Sequence, residues 1–299
     1  MRAAVGRECR VLLHSPVLWC GPVLLVAAVV LLMPVNAGYH DFWVNYDPQG
    51  DDQLLAGYYT GGVQTATSGF LVGHLLALLL GAALVLADYA PARLAGPDGA
   101  PDPRRVLPGK LTVAAGAGLL LALLNAAVSI PLAASDLGTP PSRARVEAAG
   151  LSFDPDLLAD PGVRLTIAVG LAMFPLLAAV GVGLGALLGT WSRLFAVLVL
   201  WGLASIVVGG AVSLSTPRPP ALVFGLLLAG LPISGHVAIG WGALAASPVG
   251  SGGVPTGYPE LASVAALAGG LGYATFGYRL GAALLRRRLA ERQLTRPGN

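Results

Sequence analysis

Few residue patterns in this chain could carry chemistry, and most fail on inspection. Gly109-Lys110 is the only Gly-Lys pair. A phosphate-binding loop would need a further Gly where Arg104 stands and Ser or Thr where Leu111 stands, so this chain does not hold ATP by that device. Gly181, Gly183, Gly185 and Gly189 invite a dinucleotide reading, but Leu188 occupies the last Gly position of Gly-x-Gly-x-x-Gly. Gly181, Gly185 and Gly189 do form overlapping Gly-x-x-x-Gly, the spacing that lets two helices approach closely. Ser234-Gly235-His236 lacks the Gly-x-Ser-Gly of a membrane-embedded serine hydrolase, because Pro232 takes the first position and no His follows His236. His14, His40, His74 and His236 contain no His-x-x-x-His pair, and Asp154-Pro-Asp156 is not a calcium loop. The sequence therefore implies no metal and no cofactor.

Two polar residues sit where they matter more. His74 and Asn125 fall inside long apolar stretches, and an ionisable or strongly polar group at such depth is a candidate for function. The plain alternative is a neutral imidazole and a carboxamide bonded to neighbouring helices. Those stretches hold no internal Asp or Glu; Asp88 closes one of them. Proton- and sodium-coupled carriers rely on such groups near the midplane, so their absence disfavours that class.

The elements that carry these residues follow from composition. The chain has 299 residues, of which 55% are hydrophobic and 11% charged, with mean hydropathy +0.73. Soluble domains are about 25% charged, so a water-soluble globule is excluded, as is a disordered chain. Lys110 is the sole lysine among 18 basic residues, and with 41 Gly and 23 Pro this points to a GC-rich bacterial genome. A bilayer-crossing helix needs about 20 mostly apolar residues. Six segments qualify: 17–35, 69–87, 111–134, 165–188, 194–214 and 261–285. A seventh, 221–246, is split by Pro232 and loosened by five glycines, and reads as a re-entrant hairpin.

Charge sets the orientation. With six spans, one side carries Arg2, Arg7, Arg10, Arg93, Arg104, Arg105, Lys110, Arg193, Arg279, Arg286, Arg287, Arg288, Arg292 and Arg296, 14 basic residues. The other keeps four: Arg143, Arg145, Arg164 and Arg218. The positive-inside rule then places both termini in the cytoplasm and the hairpin outside. Val35-Asn36-Ala37 resembles a signal-cleavage site, but the apolar stretch before it exceeds a usual signal core, so an uncleaved first span is expected. Cys9 and Cys20 lie near the reducing face and are expected to stay unpaired.

Outside the spans, residues 1–16 place Val5, Cys9, Leu12 and Leu13 on one face, as an amphipathic helix in the cytoplasmic interface would. The loop over 88–110 is rich in Pro, Gly and Arg, and is either topogenic or a docking surface. The external loop over 36–68 is aromatic and acidic, as an interfacial belt is. The whole chain, 1–299, reads as a single polytopic all-α membrane domain of six spans.

Two places point to a family. Arg7-Glu8-Cys9-Arg10, then Ser15-Pro16 and Trp19, resembles the start of ABC-2 type permeases. Ala87-Asp88-Tyr89, followed by Arg104-Arg105-Val106-Leu107 and Lys110, is similar to that family's intracellular coupling region. The short turn over 190–193, the broken hairpin before the last span and the Arg-rich tail over 286–288 fit the same layout. Pro91, Pro97, Pro101 and Pro103 interrupt the region where the family carries a short helix. The resemblance implies the permease subunit of an ATP-driven exporter in the bacterial plasma membrane. Two copies, a homodimer, would pair with two copies of a separate cytoplasmic ATP-binding subunit. Arg7, Arg10, Asp88, Arg93, Arg104 and Arg105 would face that subunit. No residue is catalytic, and nucleic acid is not a partner. The alternative is an ion-coupled secondary carrier or another membrane protein that does not use ATP.

Overall fold

The computed structural model describes residues 6, 9, 13, 19–32, 69–88, 103–137, 161–214 and 258–294. Among them there are six α-helices and no strand: α1 (Trp19–Leu32), α2 (Phe70–Asp88), α3 (Pro103–Leu137), α4 (Pro161–Leu188), α5 (Trp191–Leu214) and α6 (Tyr258–Leu294). Each falls on one of the six apolar segments of the sequence. Two stretches, Val106–Ala134 and Ile167–Leu188, are long and apolar enough to cross a membrane. Gly6, Cys9 and Leu13 are helical and exposed. The rest of 1–16, the hairpin over 221–246, and the loops 36–68, 89–102 and 138–160 lie outside the described residues.

Two helices extend well beyond their apolar segments. α3 begins at Pro103, eight residues before the expected span, so part of the Arg-rich loop is helix. Proline is well suited to a first helical position, where its missing N–H bonds nothing and its fixed φ is already helical. α6 runs on through Arg286, Arg287 and Arg288, where Arg287 Nε and Glu291 Oε1 pair at 2.9 Å one turn apart.

α4 is the hub, packing against α2, α3 and α6. One of its rows, Phe174, Ala178, Val182 and Ala186, lies in the larger buried cluster with Phe70, Ala77 and Leu84 of α2. Another row, Met173, Leu177, Val180 and Leu184, packs with Leu78, Ala82 and Leu86 of α2 and Leu194 of α5. α1 adds Leu25 and Val29, one turn apart on its single buried face.

The bundle is apolar on its perimeter as well as in its core, where a water-soluble protein would be polar outside. The perimeter exposes Leu119, Leu120 and Leu123 on α3, Val199, Leu200 and Leu203 on α5, and Leu271 and Phe276 on α6. The interior holds His74, Asp88, Lys110, Asn125 and Ser129.

Candidate functional site: two polar layers in the bundle

The first layer joins the C-terminal end of α2 to the second turn of α3. Asp88 is the last residue of α2, and Lys110 follows the polar first turns of α3. Lys110 Nζ lies 2.8 Å from Asp88 Oδ2 and donates to the Leu84 carbonyl at 2.6 Å, with the lysine side chain fully buried and the carboxylate 3% exposed. A cation here also faces the negative end of the α2 dipole. Among the described residues these are the only buried charged side chains, and they neutralise each other. Asp88 is therefore turned into the bundle, and its carboxylate is engaged by Lys110 rather than presented on the surface.

The second layer lies roughly 21 Å along α2 from the first, at about 1.5 Å per residue. His74 is 5% exposed, and its Nε2 donates to the Gly170 carbonyl of α4 at 2.9 Å. The carbonyl can only accept, which fixes the proton on Nε2. Pro175 on α4 has no N–H and leaves the Leu171 carbonyl without its helical donor; His74 bonds the carbonyl one residue earlier, so it lies beside that break rather than filling it. The imidazole also packs edge-on to Phe174, with centroids 4.6 Å apart, and Phe70 completes the aromatic group at 5.7 Å from Phe174. Asn125, fully buried on α3, accepts from Ser129 Oγ at 3.2 Å.

Close approach of backbones holds both layers together. A Cβ on Gly181 would lie 2.9 Å from the Leu78 carbonyl carbon, and one on Gly185 the same distance from the Ala82 carbonyl oxygen. Both glycines thus seat α4 on α2 within one chain. Gly183, on another face, meets Gly277 of α6, and Gly118 lets α3 reach Phe174 and Pro175 at the proline break. Gly189 does something else. With φ of 70° it ends α4 in the left-handed conformation that glycine adopts without penalty. Arg288 Nη2 then donates to the Leu187 carbonyl at 2.9 Å, closing the helix end with positive charge from α6.

The chain matches no family model, no curated protein and no solved structure.

The expected coupling residues divide unevenly. Asp88 is placed as above. Arg104 and Arg105 are in the first turn of α3, though their side chains lie outside the described residues, as do Arg7, Arg10 and Arg93 entirely. Cys9 and Cys20 are free and exposed. Among the described residues no three His, Cys, Asp or Glu side chains come together as a metal site requires. Sequence reasoning missed Lys110 as the buried partner of Asp88. The signal was present: an acid closing one apolar segment and the sole lysine opening the next. It also missed Arg288, whose link to α4 depends on a fold that brings residues 101 positions apart together.

Proposed function

We propose that this chain is a multi-pass membrane protein with six spans, and that it serves as the permease subunit of an ATP-driven ABC transporter, exporting its cargo across a bacterial plasma membrane. The observation that carries the membrane part is the apolar perimeter, with large leucine, valine and phenylalanine side chains exposed on α3, α5 and α6 around an equally apolar core. Lipid favours such a surface and water opposes it. The ATP-driven part rests on the order of family-like motifs from Arg7 to Lys110, and on the lack of a phosphate-binding loop, which leaves hydrolysis to a separate subunit. The buried ion pair supports this over ion coupling, because Asp88 and Lys110 hold each other at a helix end. Arg7, Arg10, Arg93, Arg104 and Arg105 form the proposed contact with the ATPase. Asp88 acts behind them by holding α3 to α2. Both termini and this contact face the cytoplasm, and two copies of the chain pair with two ATPases.

The test is whether the neighbouring reading frame encodes a phosphate-loop ATPase and whether that protein co-purifies with the chain. Arg104→Glu with Arg105→Glu is expected to release the ATPase while the chain still inserts. Both are reversed because single exposed pairs contribute little. Retention of the complex at high salt, with transport unchanged, overturns the coupling role.

A further inference from the structure

Among the described residues, the N-terminal end of α2 has no capping side chain of its own. Its first helical bond runs from the Gly73 N–H to the Gly69 carbonyl at 2.8 Å. Gly69 is thus the N-cap, the position where a Ser, Thr, Asp or Asn side chain normally accepts from the next turn. Glycine has no side chain, so the amides of Phe70, Leu71 and Val72 have no partner within the helix. A Cβ added at Gly69 would collide with the terminal amide of Asn125, and would lie 3.3 Å from its Cγ. The end of the Asn125 side chain therefore occupies the space of an N-cap side chain.

As placed, the nitrogen faces Gly69. Asn125 is fully buried, and Nδ2 has no acceptor among the described residues. A donor turned toward a helix N-terminus meets only other donors. Rotation about χ2 exchanges the two ends of the carboxamide without changing its shape, and hydrogen bonding decides between them. With the oxygen toward α2, Oδ1 accepts from the first-turn amides and Nδ2 donates to Ser129 Oγ. No buried donor of Asn125 is then orphaned.

We propose that Asn125 of α3 is the N-cap of α2, supplied from the neighbouring helix. The register supports it. Asn125 lies 15 residues beyond Lys110 on α3, and Leu84 lies 15 residues beyond Gly69 on α2. The helices run antiparallel, so both intervals span about 22 Å. α3 thus holds the backbone of α2 at two points, Asn125 at its start and Lys110 near its end. α2 and α3 move as one body, whatever the chain transports.

Asn125→Leu separates the two orientations. It keeps the forked shape and removes both polar ends, but leucine is larger, so exchange of the first turn decides rather than the midpoint. If the oxygen caps α2, amide exchange over Phe70–Val72 speeds up roughly 5-fold or more relative to the rest of the bundle. If the nitrogen faces α2 unpaired, the first turn loses no acceptor and its exchange relative to the rest of the bundle is unchanged; that result overturns the proposal. Asn125→Asp keeps an oxygen at the cap and is expected to retain the slow exchange of the first turn. Fast exchange in this conservative variant likewise overturns it, and the measurement holds even if Asn125→Leu fails to fold.

Discussion

Lys110→Met is the sharpest perturbation of the bundle. It keeps most of the side-chain length and removes the ammonium that lies 2.8 Å from Asp88 and 2.6 Å from the Leu84 carbonyl. The Asp88 carboxylate, 3% exposed, then stays buried without its cation. Removing one partner of a buried pair costs about 3–5 kcal/mol. At roughly 2–4 °C per kcal/mol for a chain of this class, the unfolding midpoint falls by roughly 6–20 °C. The double variant Lys110→Met, Asp88→Leu leaves no buried charge. Replacing a buried pair by apolar groups is neutral or stabilising by about 1–4 kcal/mol, so the double is expected at or above the parent midpoint. The assay is tryptophan fluorescence during heating in detergent, with Trp191 and Trp201 as reporters on α5. Thiol-reactive dyes would not serve, because Cys9 and Cys20 are already exposed in the folded chain. If the single variant shifts by less than about 2 °C, or if the double is as unstable as the sum of the singles, the pair is not the closed charge couple described above.

Three further outcomes follow from other parts of the fold. Gly181→Val drives a side chain into the Leu78 carbonyl and is expected to cost about 1–3 kcal/mol, whereas Gly116→Ala, with open space around its Cβ, is expected to be neutral or to stabilise by up to about 1 kcal/mol; equal midpoints for the two would remove the close-packing argument. On the proposed permease function, His74→Gln keeps a donor toward the Gly170 carbonyl and is expected to leave efflux driven by ATP within a few-fold, insensitive to an uncoupler, while loss of transport in both conditions would favour the ion-coupled carrier. A reporter fused at Asn299 is expected to read cytoplasmic, from the 14-to-4 basic asymmetry; a periplasmic signal would make 221–246 a full span.

Helix positions were legible in the sequence because long apolar runs have few readings, and each described helix falls on one such run. Helix ends were less so. Pro103, read as part of a loop, starts α3, because a first-turn proline looks the same in sequence as a breaker. The Gly181 and Gly185 spacing announced close packing but not its partner, since a glycine carries no label for the surface it meets. That partner is the α2 backbone of the same chain. Gly189 shares the spacing and has another task, visible only in its positive φ.

The least legible feature was what the buried and part-buried polar groups do, and they follow one physical pattern. Each lies at or beside a place where a helix backbone ends or loses a partner. Lys110 reaches a carbonyl near the end of α2, Arg288 reaches one at the end of α4, and His74 reaches the Gly170 carbonyl, one residue before the one Pro175 leaves without a donor. On the proposal above, Asn125 completes the set at the start of α2. In a low-dielectric interior an unmet backbone group is costly, so polar side chains are recruited to ends and breaks before they are free for a cargo. A polar residue in an apolar run is for this reason better read against the nearest proline, glycine or helix terminus of its neighbours than as a midplane ligand. The three helices that carry these groups, α3, α6 and α2, are also the three that pack most extensively on α4.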